Sequence, residues 1–262
     1  MRFDRYLVEN KYFNTRTKAL VAIKEGKVLV NDKVIIKPSF EIKNDVNIII
    51  KHDELEYVSR GGKKLEHAIK YFSLNFDGKI VLDIGSSTGG FTDCSLKFGA
   101  KKVCAIDVGT QQMVDELVND PKVCVKENFN LKNLEKNTFN ISFDFIVTDV
   151  SFISLKHVFP VVDDVANDNT VFIALIKPQF ETENQFINSN GVIKDKFAHI
   201  KVIENVIKYA EENNFYLNDL TFSPIKGKKE GNIEFLGLFT RHNKNKDINI
   251  IEIVENSHKE LE

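Results

Sequence analysis

From residue 57 onward, short apolar runs alternate with stretches of helical period. Lys79-Ile80-Val81-Leu82-Asp83-Ile84, Lys102-Val103-Cys104-Ala105-Ile106-Asp107, Val123–Val125, Phe143–Asp149 and Val171–Lys177 are nearly continuous in apolar residues and three to seven residues long, roughly the signature of strands buried on both faces. Between them the spacing predicts helices at about 63–72, 91–98, 111–118, 153–166 and 196–213. Such alternation predicts an α/β, doubly wound parallel sheet with crossovers on both faces. A final pair of strands, about 216–223 and 234–240, is joined by the Gly-rich Lys226–Asn232 with no helix between. The last strand must therefore return antiparallel.

The first fifty residues follow another pattern. Tyr6-Leu7 and then Ala19-Leu20 and Ala22-Ile23 recur at helical spacing, giving two short helices joined by Asn14-Thr15-Arg16-Thr17. Lys27 to Ile35 reads as strand, Asn31-Asp32 turn, strand. This small α+β head, residues 1–52, carries 11 Lys+Arg against 6 Asp+Glu, a net of +5; with −2 for the whole chain the remainder carries −7. A basic head on an acidic body fits contact with a polyanion, or simply a solvated surface. Residues 53–58 form a polar linker, the main domain is expected over 59–242, and 243–262 form a charged tail or helix in which Ile250-Ile251-x-Ile253-Val254 followed by Ser257–Glu262 suits a short docking helix.

Composition narrows the class. With 42% hydrophobic and 28% charged residues the chain can bury a real core. No apolar run approaches the roughly 20 residues that span a bilayer, and the charged start Met1-Arg2-Phe3-Asp4-Arg5 is no cleavable signal. Cys94, Cys104 and Cys124 are odd in number and never spaced C-x-x-C, and are expected to be buried free thiols in a reducing cytoplasm. The six histidines show no ligand spacing, so no metal is expected.

Ligands of open α/β sheets sit beyond the carboxyl ends of the parallel strands. Asp149 and Lys177 end two such strands, Glu234 begins the antiparallel one at the same edge, and Lys64 opens the helix that runs down into the first strand. These four are the candidate catalytic group. Lysines and acids at loop ends are usually solvent-facing, but Lys177 ends an almost wholly apolar strand and precedes Pro178. The loop after the first strand, Asp83-Ile84-Gly85-Ser86-Ser87-Thr88-Gly89-Gly90-Phe91, pairs an acid with glycines that allow close backbone approach and with small hydroxyl residues. It differs from the dinucleotide fingerprint, which leaves bare backbone for a pyrophosphate. Asp83 is placed to meet an amino acid group and Asp107 ribose hydroxyls; Asn130 reads either as an adenine contact or as a loop amide. Arg60-Gly61-Gly62 reads as a tight turn or a phosphate contact, and Phe152 and Phe180 as core or as stacking surfaces for an extruded base.

The head, with Arg2, Asp4 and Leu7 ahead of Thr15-Arg16 and Gly26-x-Val28-x-Val30-Asn31, resembles the alpha-L, ribosomal-protein-S4-like RNA-binding domain. That resemblance implies phosphate contacts from Arg2, Arg5, Arg16, Lys18 and Lys24; Arg60, outside the head, is the candidate phosphate contact beside the main site. In the main domain five motifs come in order: Tyr57-Val58-Ser59-Arg60-Gly61-Gly62-x-Lys64-Leu65, Asp83-x-Gly85-x-Ser87-Thr88-Gly89-Gly90-Phe91-Thr92-Asp93-Cys94, Asp149–Leu155, Lys177–Glu181 and Gly231-Asn232-x-Glu234-Phe235-Leu236. Together they resemble the TlyA family, related to the FtsJ/RrmJ-type RNA ribose methyltransferases and in places called haemolysins. The resemblance implies a Rossmann-like class I methyltransferase sheet with an antiparallel last strand. It implies S-adenosyl-L-methionine as cofactor, ribosomal RNA or ribosomal subunits as partner, and 2′-O-methylation of a cytidine ribose in the large and in some members the small subunit. The catalytic quartet falls on Lys64, Asp149, Lys177 and Glu234, and the cofactor set on Asp83, Gly85, Ser87, Thr88, Gly89, Gly90, Phe91, Asp107, Asn130 and Asp149. Thr110-Gln111 after Asp107-Val108-Gly109, and Phe129 and Lys132 beside Asn130, depart from the family pattern.

Two versions of the chemistry stand: Lys177 as a neutral general base, or charged Lys177 and Lys64 steering the ribose oxygen and stabilising its developing charge. Two rival classes also stand. A membrane-active haemolysin needs an amphipathic or spanning segment, and none stands out; a non-catalytic RNA-binding assembly factor has no use for the quartet.

Overall fold

The computed structural model describes residues 1–13, 16–24, 26–42, 46–51, 57–182, 186–188, 191–227, 231–242 and 247–261, with the side chains of residues 17, 18 and 21 set aside. The chain divides into two compact units, Met1–Glu56 and Tyr57–Glu262. Residues 53–56 of the expected linker lie outside the described residues, and Tyr57 and Val58 open the second unit.

In the first unit, helices α1 (Phe3–Glu9) and α2 (Arg16–Lys24) accompany strands β1 (Val28–Val30), β2 (Lys33–Val34) and β3 (Ile48–Ile50), in sheet order β2-β1-β3 and antiparallel throughout. Asn31 and Asp32 both take positive φ, 47° and 64°, the conformation that a two-residue hairpin turn demands and that short polar side chains tolerate. Phe3, Leu7, Ala19, Ile23, Val28 and Ile42 form the core. Asp4 is fully buried among them and bonded to Arg2 at 3.1 Å and Arg16 at 2.8 Å. The hydrogen bond from Arg2 is the main influence holding its carboxyl below the usual range, against the opposing effect of burial. The third strand was not expected, because Ile48-Ile49-Ile50 shows no alternation.

The second unit is a seven-stranded sheet: β4 (Ile80–Ile84), β5 (Lys102–Ile106), β6 (Val123–Lys126), β7 (Phe145–Thr148), β8 (Val171–Ile176), β9 (Tyr216–Phe222) and β10 (Phe235–Thr240), in the order β6-β5-β4-β7-β8-β10-β9. Strands β4 to β8 run parallel; β10 lies antiparallel between β8 and β9, as the missing crossover requires. On one face α3 (Gly61–Tyr71) and α4 (Gly90–Lys97) pack on Val81, Val103, Val147, Ile173 and Leu175. On the other, α6 (Phe159–Val165), α8 (Lys196–Glu211) and α9 (Ile250–Leu261) cover Leu82, Ile146, Phe172 and Phe239. Phe159 meets Phe172 and Phe239 edge-on at 5.4 and 5.2 Å.

Two expected helices are shorter than their periodicity. Only α5 (Asp115–Val118) forms in 111–118, because Glu127 accepts the backbone N–H groups of Gln111, Gln112 and Met113. The segment 153–166 breaks into a 3-10 turn at Leu155–His157 and α6, with Pro160 in the first turn. A four-residue α7 (Pro178–Glu181) follows β8. The tail from Ile250 is one helix that buries Val254, Ser257 and His258. Cys94 and Cys104 are buried free thiols; Cys124, on the edge strand β6, is only partly covered.

Candidate active site

Register brings the four candidate residues to one edge. Ile84 pairs with Thr148 and Thr148 with Ala174, so β4 and β7 end together and β8 runs two residues further at the same edge. Phe235 pairs with Ile176, which sets Glu234 beside Lys177 one step further on. Lys64 arrives from the first turn of α3, which lies close to the start of α4 because Gly90 has no side chain. A Cβ there would stand 2.2 Å from Ser59 Oγ and 3.1 Å from the Gly62 nitrogen.

The side chains form one chain of alternating charge. Lys64 Nζ lies 2.6 Å from Glu234 and 3.8 Å from Asp149 Oδ2, and Lys177 Nζ lies 2.6 Å from Asp149 Oδ1. Lys64, Lys177 and Glu234 are buried and Asp149 is half-buried. Charges so enclosed persist only when paired, and removing one leaves its neighbour buried and uncompensated. Lys177 also donates to Ser151 Oγ at 2.8 Å, a partner that sequence reasoning quoted within a motif but did not single out. On the far side, Arg60 donates to the Lys226 carbonyl at 2.8 Å, tying the start of α3 to the loop that leads to Glu234.

Beside this group the β4–α4 loop holds Asp83, whose Oδ2 accepts from Thr92 at 2.7 Å and whose Oδ1 is buried without a partner among the described residues. Burial, opposed by the Thr92 hydrogen bond and aided by the charge of Asp149, pushes its carboxyl up to about 7. Gly85 turns at φ +80°, where a Cβ would press on Val150 at 2.9 Å. Ser87 and Gly109 each give a backbone N–H to Asp107 at 2.7 Å, so that carboxylate fastens the loop to the end of β5. Gly89 caps α4, and the Thr88 carbonyl receives the Val114 N–H at 3.4 Å. Two residues stand apart from the expected set. The Phe91 ring lies in the core, leaving only its backbone to face a ligand, and Asn130 accepts from Lys132 N at 3.0 Å as the cap of a 3-10 turn, the role of a loop amide.

In the first unit Arg2 and Arg16 are bonded to Asp4, Arg5 pairs with Glu9 at 2.9 Å on the surface, and Lys24 is exposed. The Lys18 side chain lies outside the described residues.

Residues 57–240 match the model of the FtsJ-like methyltransferase family, and residues 1–48 match the S4 domain. The chain is a TlyA-type member of the FtsJ-like methyltransferase family. Among TlyA-type relatives, the 16S/23S rRNA (cytidine-2′-O)-methyltransferase TlyA of Mycobacterium tuberculosis is 34% identical over 89% of this chain and 87% of its own length. Hemolysin A of Brachyspira hyodysenteriae is 43% identical over 91% of this chain and 99% of its own. A solved structure of a protein assigned as a hemolysin from Streptococcus thermophilus superposes with a TM-score of 0.76 at 38% identity, covering 99% of this chain and 96% of that one. Membership of a methyltransferase family implies S-adenosylmethionine as the methyl donor, and the β4–α4 loop fits that donor chemically. The unpartnered Asp83 Oδ1 is a ready acceptor for an ammonium group, and the hydroxyl of Ser86 is likewise buried and unpartnered among the described residues.

Proposed function

We propose that this protein is an rRNA (cytidine-2′-O-)-methyltransferase that uses S-adenosylmethionine. The observation that carries the reading is the linked quartet Glu234–Lys64–Asp149–Lys177 at the ligand-binding edge of the sheet, next to the Asp83 loop. When bound, the cofactor supplies an electrophilic methyl on a sulfonium. Asp83, Gly85, Ser87, Thr88, Gly89, Gly90, Phe91 (through its backbone) and Asp107 would hold it, with the carboxylate of Asp149 near the positive sulfur. Asn130 caps its turn through Oδ1, and an adenine contact would be a second role for the same side chain.

Lys177 is committed to Asp149 and Ser151, using two of the three donors of an ammonium. The third is directed at the incoming ribose hydroxyl, where a positive amine lowers the energy of the developing oxyanion and fixes its approach. Lys64, held between Glu234 and Asp149, adds positive potential and keeps Asp149 in place. This favours the electrostatic version of the chemistry over a neutral lysine base: the hydroxyl proton passes to solvent water as the oxygen–methyl bond forms, and the two amines stabilise the charge left on the oxygen. Phe152, 90% exposed with its ring 5.1 Å from that of Phe180, offers a stacking surface for the extruded cytosine. The first unit supplies phosphate contacts through Arg2, Arg5, Arg16, Lys18 and Lys24, with Arg60 beside the site.

The M. tuberculosis relative, named for methylation of both rRNAs, supports this substrate class. The haemolysin name shared by other relatives has less physical support, for no helix among the described residues is long and apolar enough to cross a membrane. Transfer of tritiated methyl to ribosomal RNA or subunits from cells lacking the protein tests the reading. Wild type should label cytidine 2′-O, and Lys177→Ala should lower kcat by about 100- to 10,000-fold with binding of the methyl donor nearly unchanged. Wild-type turnover in that variant would reject the assignment of Lys177.

A further inference from the structure

We propose that Glu181 is a positioning residue for the transfer: its carboxylate clasps the segment after Asp149 to the segment after Lys177 and so fixes where Lys177 and Phe152 meet the substrate. This rests on the reading of the site as a methyltransferase centre.

The clasp has two ends. At one, Lys177 Nζ donates to Ser151 Oγ at 2.8 Å; at the other, Ser154 Oγ and the Leu155 N–H donate to Glu181 at 2.6 and 2.7 Å. Residues 151–154 are thus fastened to 177–181 at both ends, across 26 or 27 residues of chain. Phe152 lies between, at φ +62° and 90% exposed. A bulky L-residue in left-handed conformation with its ring in water is unfavourable on both counts and persists only where its surroundings hold it. The ring it faces, Phe180, is adjacent to Glu181 in sequence and 5.9 Å from Lys177 Nζ. One carboxylate therefore controls both the stacking surface and the amine.

The hydrogen bonding suits an ionised acid. The Ser154 hydroxyl donates to Glu181 while its oxygen accepts from the Lys156 N–H at 3.1 Å, and Glu181 accepts from Leu155 as well. A carboxamide, or a protonated carboxyl, places a donor at one of these two accepting positions and turns the Ser154 proton away. Burial pushes the Glu181 carboxyl up to about 7, and the two hydrogen bonds oppose that rise. Tyr209 of α8 faces it: burial first, and then the charge of Glu181, raises that phenol, and Lys156 Nζ stands 6.0 Å from the Tyr209 ring. An acid kept at this expense, when an amide would fill the same space, points to the geometry of the two loops as its purpose.

The test is steady-state kinetics on rRNA with full-length Glu181→Gln and Ser154→Ala at pH 6 to 8. Glu181→Gln should lower kcat roughly tenfold at pH 8, leave KM for S-adenosylmethionine unchanged, and flatten kcat across the pH range, whereas wild-type kcat falls as Glu181 protonates. Titration of Asp83 enters through KM for the methyl donor and is separable. Ser154→Ala, which deletes one hydroxyl, should lower kcat in the same direction and carries the test if Glu181→Gln melts early. Wild-type kcat in both variants, or a loss of kcat matched by a rise in KM for the donor, would overturn the positioning role alone. A wild type unable to methylate any rRNA would overturn it together with the reading of the site.

Discussion

Asp83 is buried with its Oδ1 atom facing no donor among the described residues, a position in which an ionised carboxylate is disfavoured relative to water. Its carboxyl is raised to about 7, with burial as the main cause. The sign follows from linkage. Between an unfolded value near 4 and the folded value near 7 the native state binds the extra proton, so the stabilisation is full at the acid end and lost as pH rises through 7. The ligand-free protein should therefore melt at lower temperature at pH 8 than at pH 5. Asp83→Asn should remove part of that fall, while the share of Glu181, raised in the same direction, remains. Binding has the opposite slope. The amino group of S-adenosylhomocysteine prefers ionised Asp83, so its affinity should weaken by up to about tenfold per pH unit below 7. Calorimetric titrations at pH 6, 7 and 8 check this; equal slopes in wild type and Asp83→Asn would show that Asp83 does not face the ligand.

At the scale of elements, the junction of α3 and α4 decides whether Lys64 reaches the site. Gly90→Ala places a methyl 2.2 Å from Ser59 Oγ and against the backbone at Gly61 and Gly62, neither of which is a flexible side-chain end. Relief requires α3 to move off α4, carrying Lys64 away from Asp149. The expected result is a loss of about 1–3 kcal/mol in denaturant melts, together with a fall in kcat larger than that loss of folded protein explains. Unaltered kcat would mean that the helix start has slack. Much of this arrangement was legible in the chain, because strand ends are marked by where apolar runs stop, and Asp149, Lys177 and Glu234 each sit at such a stop. The antiparallel β10 was legible from a missing helix. What escaped was set by partners distant in sequence. Glu127 draws off the N–H groups of 111–113 and shortens a helix whose periodicity was sound, and Glu181 takes the Leu155 N–H at the start of the segment expected to be helical from 153. Ser151 and Ser154 gain their roles only when β7 and β8 lie side by side, and Asn130 is a turn cap because Lys132 folds back on it.

For the whole molecule, the net charge of −2 conceals a first unit of opposite sign to the second, an asymmetry of the kind that steers a polyanion. If the first unit anchors RNA through phosphates, affinity must fall with salt in proportion to the contacts made there. Arg2 and Arg16 are poor probes of this, since both hold the buried Asp4 and their loss would disturb the unit's core. Arg5 and Lys24 are better. Lys24 is exposed, and the Arg5–Glu9 pair is exposed on both sides, so it contributes little and yields readily to a phosphate. The double variant Arg5→Gln/Lys24→Gln should keep its melting temperature and its affinity for S-adenosylhomocysteine, while the slope of log affinity for rRNA against log salt becomes shallower by roughly one to two. Filter binding between 50 and 200 mM salt, on the order of a thousandfold range for six such contacts, resolves that difference. An unchanged slope would place the RNA contacts elsewhere, and the basic head would then be an ordinary solvated surface.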